Sequence, residues 1–216
     1  MKHLKILGPA AVAALALMAA IGAASASANA VICSTEGTIV NASCTAAGSK
    51  QLPNPATFDA TLKTGTVAEL TSTFDNVKCT SSTVKGTTSG ATGTGSIESM
   101  TFGGCTDSFG GACTADTSAS STNKWPTTAT TTTAGVHNGN GITHTSNITG
   151  KFSCPIGTCR YTASTATTHL TGGEPATITA TKVTLNREET STFGCSATVT
   201  WSGTYTVTSP SSLWIY

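Results

Sequence analysis

The chain has 216 residues, a formal net charge of +1 and only 10 % charged residues, while Thr (46) and Ser (24) together supply nearly a third of it. Lys and Arg form no cluster, and Arg160 and Arg187 are the only guanidinium groups. That excludes the phosphate neutralisation on which nucleic-acid binding rests, and gives no basis for attraction to an anionic membrane. Disordered chains combine low hydrophobicity with high net charge; here 38 % of residues are hydrophobic and the charge is near zero, so a folded domain is expected.

Met1–Lys5 is short and basic, and residues 6–24 are apolar apart from Pro9. Small residues follow, from Ala24 to Ala30, with three overlapping A-x-A sites. This is the three-part pattern of a secretory signal, so residues 1–28 read as a signal peptide with cleavage between Ala24 and Ala30, after Ala26 or Ala28 for preference. The apolar run could nearly span a bilayer as an uncleaved anchor, but its small-residue end suits a signal peptidase. Cys33 follows bulky Ile32, which does not fit a lipoprotein site. No second long apolar run appears, so no membrane span is expected after cleavage. Loss of Lys2 and Lys5 leaves nine basic against ten acidic residues, a charge of −1. Roughly 190 residues remain, 29–216, which is enough for one domain with a substantial core.

All eight cysteines lie in that part: Cys33, Cys44, Cys79, Cys105, Cys113, Cys154, Cys159 and Cys195. An even count in an exported chain reads as four disulfides. Zinc is the rival, but Cys154 and Cys159 are four residues apart with no His beside them, and no C-x-x-C occurs. Eight cysteines allow 105 pairings. Strand phase narrows them. Cys159 shares parity with Tyr161 and Ala163, and Cys195 with Phe193, Ala197 and Val199, so both face inward and could bridge neighbouring strands. Cys33 and Cys44 would close an N-terminal loop, Cys79 and Cys105 would bracket a hairpin, and Cys113 and Cys154 are left.

Period-2 alternation marks the strands. Phe58, Ala60 and Leu62 share a side; Gly65 offers a turn; Ala68 and Leu70 resume around Glu69. Val77 and Cys79 face one way. Ile97, Met100 and Phe102 slip phase by one residue, as do Ile178, Ala180, Val183 and Leu185, and such slips suggest β-bulges. The Ser/Gly/Ala-rich stretch 106–123 reads as a long loop. Two Asn-Gly pairs in 137–141 predict a hairpin between strands at 127–136 and 142–154. From Phe193 to Thr208 the alternation is strict: Val199, Trp201, Gly203, Tyr205 and Val207 on one face, Thr or Ser on the other. Threonine suits a wet strand face because its branched side chain favours extended backbone. The run is long for one strand, so a bend is expected near Gly203. No useful helical period appears, and Gly, Ser and Thr at this density disfavour helix. The fold class is all-β: an antiparallel β-sandwich or open barrel, stapled by disulfides.

The signal Met1–Ala28, the stretch Ala60–Cys105, Leu170-Thr171-Gly172-Gly173 and the ending Thr200–Pro210 resemble a group of small exported bacterial proteins, notably of soil actinobacteria. The resemblance covers most of the chain through low-complexity motifs, leaves Cys113 and Cys154 outside its pattern, and implies no activity, cofactor or catalytic residue.

Chemistry-bearing groups are scattered. No G-x-S-x-G occurs, and His137, His144 and His169 are the histidines left after processing; a Ser-His-Asp triad could be assembled only by the fold. Glycosidases need two carboxylates at a set separation. Glu69 and Glu98 alternate with apolar residues, which puts them on a wet face, and Glu188-Glu189 falls in a polar turn. His137 and His144 flank the Asn-Gly turn, yet two imidazoles without a third ligand make a poor metal site. No cofactor is expected. Asn41-Ala-Ser43 and Asn147-Ile-Thr149 match the glycosylation triplet, which a bacterial source makes a chance match. Trp201 and Tyr205 belong to the apolar strand face and are expected in the core. Trp125, next to Pro126, and Trp214, near the C-terminus, are freer, and are the candidate platforms for a sugar ring. The readings rank as an exported, non-enzymatic β-protein with a structural or surface role and an extracellular polymer or protein partner; then a carbohydrate- or polymer-binding module; then a secreted hydrolase.

Overall fold

The computed structural model describes residues 30–36, 39–40, 43–44, 50–73, 75–132, 138–155, 157–191 and 194–216. The signal segment, Asn41, His137 and Phe193 lie outside the described residues. Within them all regular structure is β, in chain order β1 (Ile32–Cys33), β2 (Ile39–Val40), β3 (Ser43–Cys44), β4 (Ala56–Leu62), β5 (Ala68–Thr71), β6 (Asn76–Thr88) and β7 (Thr94–Thr106), then β8 (Ala112–Thr117), β9 (Trp125–Thr131), β10 (Gly141–Cys154), β11 (Gly157–Thr171), β12 (Thr177–Arg187), β13 (Thr198–Ser209) and β14 (Trp214–Ile215).

β4 to β13 close into an antiparallel up-and-down barrel of eight positions. Six are filled by the long strands β6, β7, β10, β11, β12 and β13. The other two are each shared by two strands running end to end. β4 and β5 both lie between β6 and β13; β8 and β9 both lie between β7 and β10. The turn at Gly65 therefore does not reverse the chain. It interrupts one strand, which resumes in the same direction at Ala68. Closure leaves no sheet edge in the wall, so the backbone of every wall strand is paired on both sides.

Alternation decides which residues fill the barrel. On β13 Val199, Gly203, Tyr205 and Val207 are buried and Trp201 is half-buried; the intervening Thr and Ser face outward. A bulge lies between Ala180 and Val183 on β12, where the phase slip predicts it. Lys182 there has φ 50°, and its N–H donates to Ser202 Oγ at 3.0 Å, so Val183 and Leu185 still face in. Buried positions also change parity between Cys79 and Ser82 on β6 and between Ala163 and Ala166 on β11. The interior is thus split into two tiers. Leu70, Val77, Phe152, Tyr161 and Val199 pack in one tier; Ala60, Val84, Met100, Trp125 and Tyr205 pack in the next.

Disulfides brace one end. Cys79–Cys105 joins β6 to β7, Cys113–Cys154 joins β8 to β10, and Cys159–Cys195 ties β11 to the segment entering β13. With Cys33–Cys44 the four pairs are those that phase and spacing favour. The opposite end is capped by the first and last described strands. β1 pairs with β14, and this ribbon bridges to the barrel loops through Gly139–Ile215 and Gly173–Leu213. Ile32, Leu213 and Ile215 face the barrel from the cap.

Threonine recurs in register along the outer wall. Thr171, Thr177, Thr206, Thr61, Thr83 and Thr101 sit in register across consecutive wall positions, and the hydroxyls of Thr83 and Thr101 lie 2.6 Å apart. Among the described residues Val67 and Phe109 are the exposed large hydrophobics. A wall that is polar outside and apolar inside is the reverse of a membrane-spanning barrel, which carries an outward apolar band. No described helix is long and apolar enough to cross a membrane.

Three expectations are corrected. Residues 106–123 are not one loop: β8 occupies Ala112–Thr117. Its inward residues are small, Cys113 and Ala115, so its pattern is faint. The last long strand starts at Thr198, and Ala197, expected to face the core, is exposed. Its irregularity lies at Val207/Ser209 rather than at Gly203. The all-β antiparallel class holds, and the barrel is closed rather than open.

Candidate functional site: the barrel interior

Below the packed tier, towards the cap, the side chains do not fill the barrel. A cavity of ≈ 110 Å³ remains. A single water needs about 10–15 Å³, so the space matches roughly eight waters, or a compact molecule of about benzene's size. Every wall position contributes. Phe58 and Ala60 come from β4, Ile148 from β10, Ile178 from β12, and Trp201 and Tyr205 from β13, while Ile32, Leu213 and Ile215 form the floor. Among the described residues no charged side chain lines it. An ion would lose its hydration without gaining a partner there, a cost that keeps charged ligands out.

The lining does contain hydroxyls, and they engage one another. Thr143 and Thr168 lie 2.5 Å apart, Thr127 and Thr145 3.1 Å, and Thr87 and Ser96 3.3 Å. The Tyr205 phenol donates to Ser82 Oγ at 3.1 Å, and its burial pushes its pKa up to about 12 against the lesser, opposing pull of that hydrogen bond. One lining donor differs. Trp201 Nε1 is shut off from water and has no hydrogen-bond partner among the described residues. A buried donor left unpaired costs about 1–3 kcal/mol.

The structure corrects the sequence reading of Trp125 and Trp214. Neither is free on the surface: Trp125 is 2 % exposed and Trp214 7 %. Trp125 opens β9 facing inward, in phase with Thr127 and Ala129, lines the cavity, and donates from Nε1 to Ser118 Oγ at 3.1 Å. That parity was the available signal. Trp214 lies in the cap against two glycines, where a Cβ on Gly139 or Gly172 would come within 2.5 or 2.6 Å of its Cδ1. The Leu170-Thr171-Gly172-Gly173 motif is therefore the seat of this indole. Trp201 and Tyr205 do face inward, as their alternation requires.

Charged groups on the outer wall pair with one another, and Asp116, Lys151, Arg160 and Glu188 come together around a polar hollow of ≈ 200 Å³. Glu69 pairs with Lys78 at 3.6 Å, Asp59 with Lys85 at 4.0 Å, Asp116 with Lys151 at 3.1 Å, and Glu98 with Lys124. His144 and His169 are on the outer wall, His144 Nδ1 lying 3.2 Å from Thr167 Oγ1. Asp107, Cys113 and Cys154 cluster within 4.8 Å, but the two sulfurs are bonded to each other and offer no thiolate. Asp107 is a turn residue whose Oδ1 accepts from the N–H groups of Phe109 at 3.0 Å and Gly111 at 2.6 Å. That turn holds Phe109 in solvent, 77 % exposed, beside a second hollow of ≈ 200 Å³ at the disulfide-braced end. Sequence reasoning missed Phe109 because it lies in the stretch read as a featureless loop. No family model, curated protein or solved structure matches the chain.

Proposed function

We propose that the protein is an exported, non-enzymatic barrel that holds a small, uncharged, mostly hydrocarbon molecule in its interior. The observation that carries this reading is the ≈ 110 Å³ cavity, lined mostly by apolar side chains and by hydroxyls that engage one another, with no charged side chain among the described lining residues. An apolar cavity of this size stays dry and binds compact apolar molecules. Four disulfides suit an oxidising compartment, in keeping with the signal-like N-terminus. Toluene is a suitable first probe. At ten times its Kd it should stabilise the fold by about 1.4 kcal/mol, which for a domain of this size raises Tm by about 3–6 °C. No shift up to the solubility limit of toluene would overturn the reading. Export is tested separately: protein from the culture medium should begin between residues 25 and 30, and an intact Met1 would contradict it.

A second reading, an extracellular polymer or protein partner, is favoured by Phe109. Phe109 is held in solvent by a turn fixed by Asp107, beside the hollow at the disulfide-braced end. Phe109→Ser would abolish such binding while leaving toluene uptake unchanged.

A further inference from the structure

We propose that Lys151 and Arg160, in the polar hollow on the outer wall, bind the carboxylate of an acidic sugar whose hydroxyls donate to Asp116 and Glu188. The site is separate from the interior cavity and does not depend on it. Strand register builds it. Lys151 on β10 stands opposite Asp116 on β8 and opposite Arg160 on β11. Glu188, just past the end of β12, donates its backbone N–H to the Arg160 carbonyl at 2.9 Å. Residues in register project from the same face of a sheet, so the two cations stand side by side with a carboxylate at each end of the row. Ser191 fastens the Glu188 turn to β11: its hydroxyl accepts from the Arg160 N–H at 2.9 Å and donates to the Arg160 carbonyl at 3.1 Å.

This row differs from the other charges of the wall. Glu69 stands in register with Lys78 and Asp59 with Lys85, opposite signs in both cases. Lys151 against Arg160 is a like-charged pair. Like charges directly opposite are destabilising, and an anion between them removes the repulsion. Asp116 Oδ2 offsets Lys151 from its far side at 3.1 Å. Arg160 is exposed, and among the described residues neither it nor Glu188 has an ion-pair partner. The fork of a guanidinium matches a carboxylate bidentately. Ionised Asp116 and Glu188 only accept, so the bound anion must carry donors on both sides of its charge, which a ring bearing several hydroxyls supplies. The same two carboxylates repel the second charge of a phosphate dianion. The floor hydroxyls are already engaged, Thr117 with the Met100 carbonyl and Thr149 with Ser118 Oγ. At ≈ 200 Å³ against ≈ 110 Å³ the hollow is nearly twice the interior cavity, which suits one hydroxylated ring with its carboxylate. The ligand class is therefore a hexuronate, free or as a unit of an acidic polysaccharide.

Four probes separate the parts of this ligand: galacturonate, galactose (no carboxylate), acetate (no hydroxyls) and inorganic phosphate. Each is titrated into the native protein and followed by NMR, including the Arg160 Nε–H resonance. Galacturonate should move that resonance and bind about tenfold or more tighter than the other three, the worth of a charge-assisted hydrogen bond. Arg160→Gln should weaken galacturonate about tenfold without lowering the melting midpoint, since the side chain is exposed and a like-charged contact is removed. Glu188→Ala should weaken galacturonate about threefold or more and should not weaken acetate. Lys85→Gln, on another part of the wall, should change nothing. Galacturonate binding no tighter than galactose, or unaltered by Arg160→Gln, would overturn the proposal. Acetate or phosphate binding as tightly as galacturonate would overturn it too, because the site would then hold a bare anion. None of these outcomes bears on toluene uptake by the interior.

Discussion

Ile178→Phe tests the interior cavity through the sign of a stability change. Ile178 is half-buried and lines the cavity, opposite Leu170 on one side and Tyr205 on the other. The substitution adds three carbons. Both residues favour strands, so propensity contributes little. If the ring enters empty space, three carbons at about 0.8 kcal/mol each set a ceiling of about 2.4 kcal/mol of added stability. Imperfect fit and lost rotamer freedom should reduce this to about 0.5–1.5 kcal/mol. The ring also takes up part of the ≈ 110 Å³, so toluene affinity should fall by tenfold or more. Urea denaturation measures the first effect, as a rise in midpoint with unchanged slope, and calorimetry the second. Were the site already filled, the same change would overpack it and destabilise by about 1–3 kcal/mol. A loss of stability with toluene binding unaltered would refute the cavity.

Other consequences follow from the same contacts. Tyr205 ionises near 10 when unfolded and at about 12 in the barrel; stability it contributes is complete below pH 10 and lost as pH climbs towards 12, by about 2–3 kcal/mol. Tyr205→Phe should flatten that part of a stability–pH curve, leaving the smaller slope from Tyr161, whose pKa burial also raises against the weaker opposing charge of Arg187. Trp214→Ala empties the cap and should cost about 3–5 kcal/mol, read as a lower denaturation midpoint; a change under 1 kcal/mol would mean that the cap contributes little. Replacing Cys113 and Cys154 together by Ser removes a cross-link over 41 residues, worth about 4 kcal/mol in loop-closure entropy, and calorimetric melting should show it.

Much of the wall is legible in the sequence, because threonine and apolar residues alternate where one face is wet. Val199 to Val207 gave the faces of β13, and the slip between Ala180 and Val183 placed a bulge correctly. Closure was not legible. Interrupted strands at residues 63–67 and 118–124 look like chain reversals, and nothing local distinguishes a turn that reverses from one that does not. β8 was hidden because small inward residues leave no amphipathic contrast. Trp125 and Trp214 were misplaced for different reasons. Pro126 suggested a loop, although a proline is tolerated where its missing N–H disrupts no ladder bond. Proximity to the chain end suggested exposure for Trp214, although Leu213, Trp214, Ile215 and Tyr216 form an apolar run, and all four are buried. The cavity itself is a property of closure and of two tiers out of phase, and no single strand encodes it.

A crystal of the protein pressurised with xenon addresses the central claim most directly. Xenon is apolar, needs no specific hydrogen bond, and enters voids of this size. The account predicts an anomalous peak inside the barrel, in van der Waals contact with Trp125, Ile148 and Tyr205. A barrel interior without xenon, in a crystal where xenon occupies other sites, would contradict it.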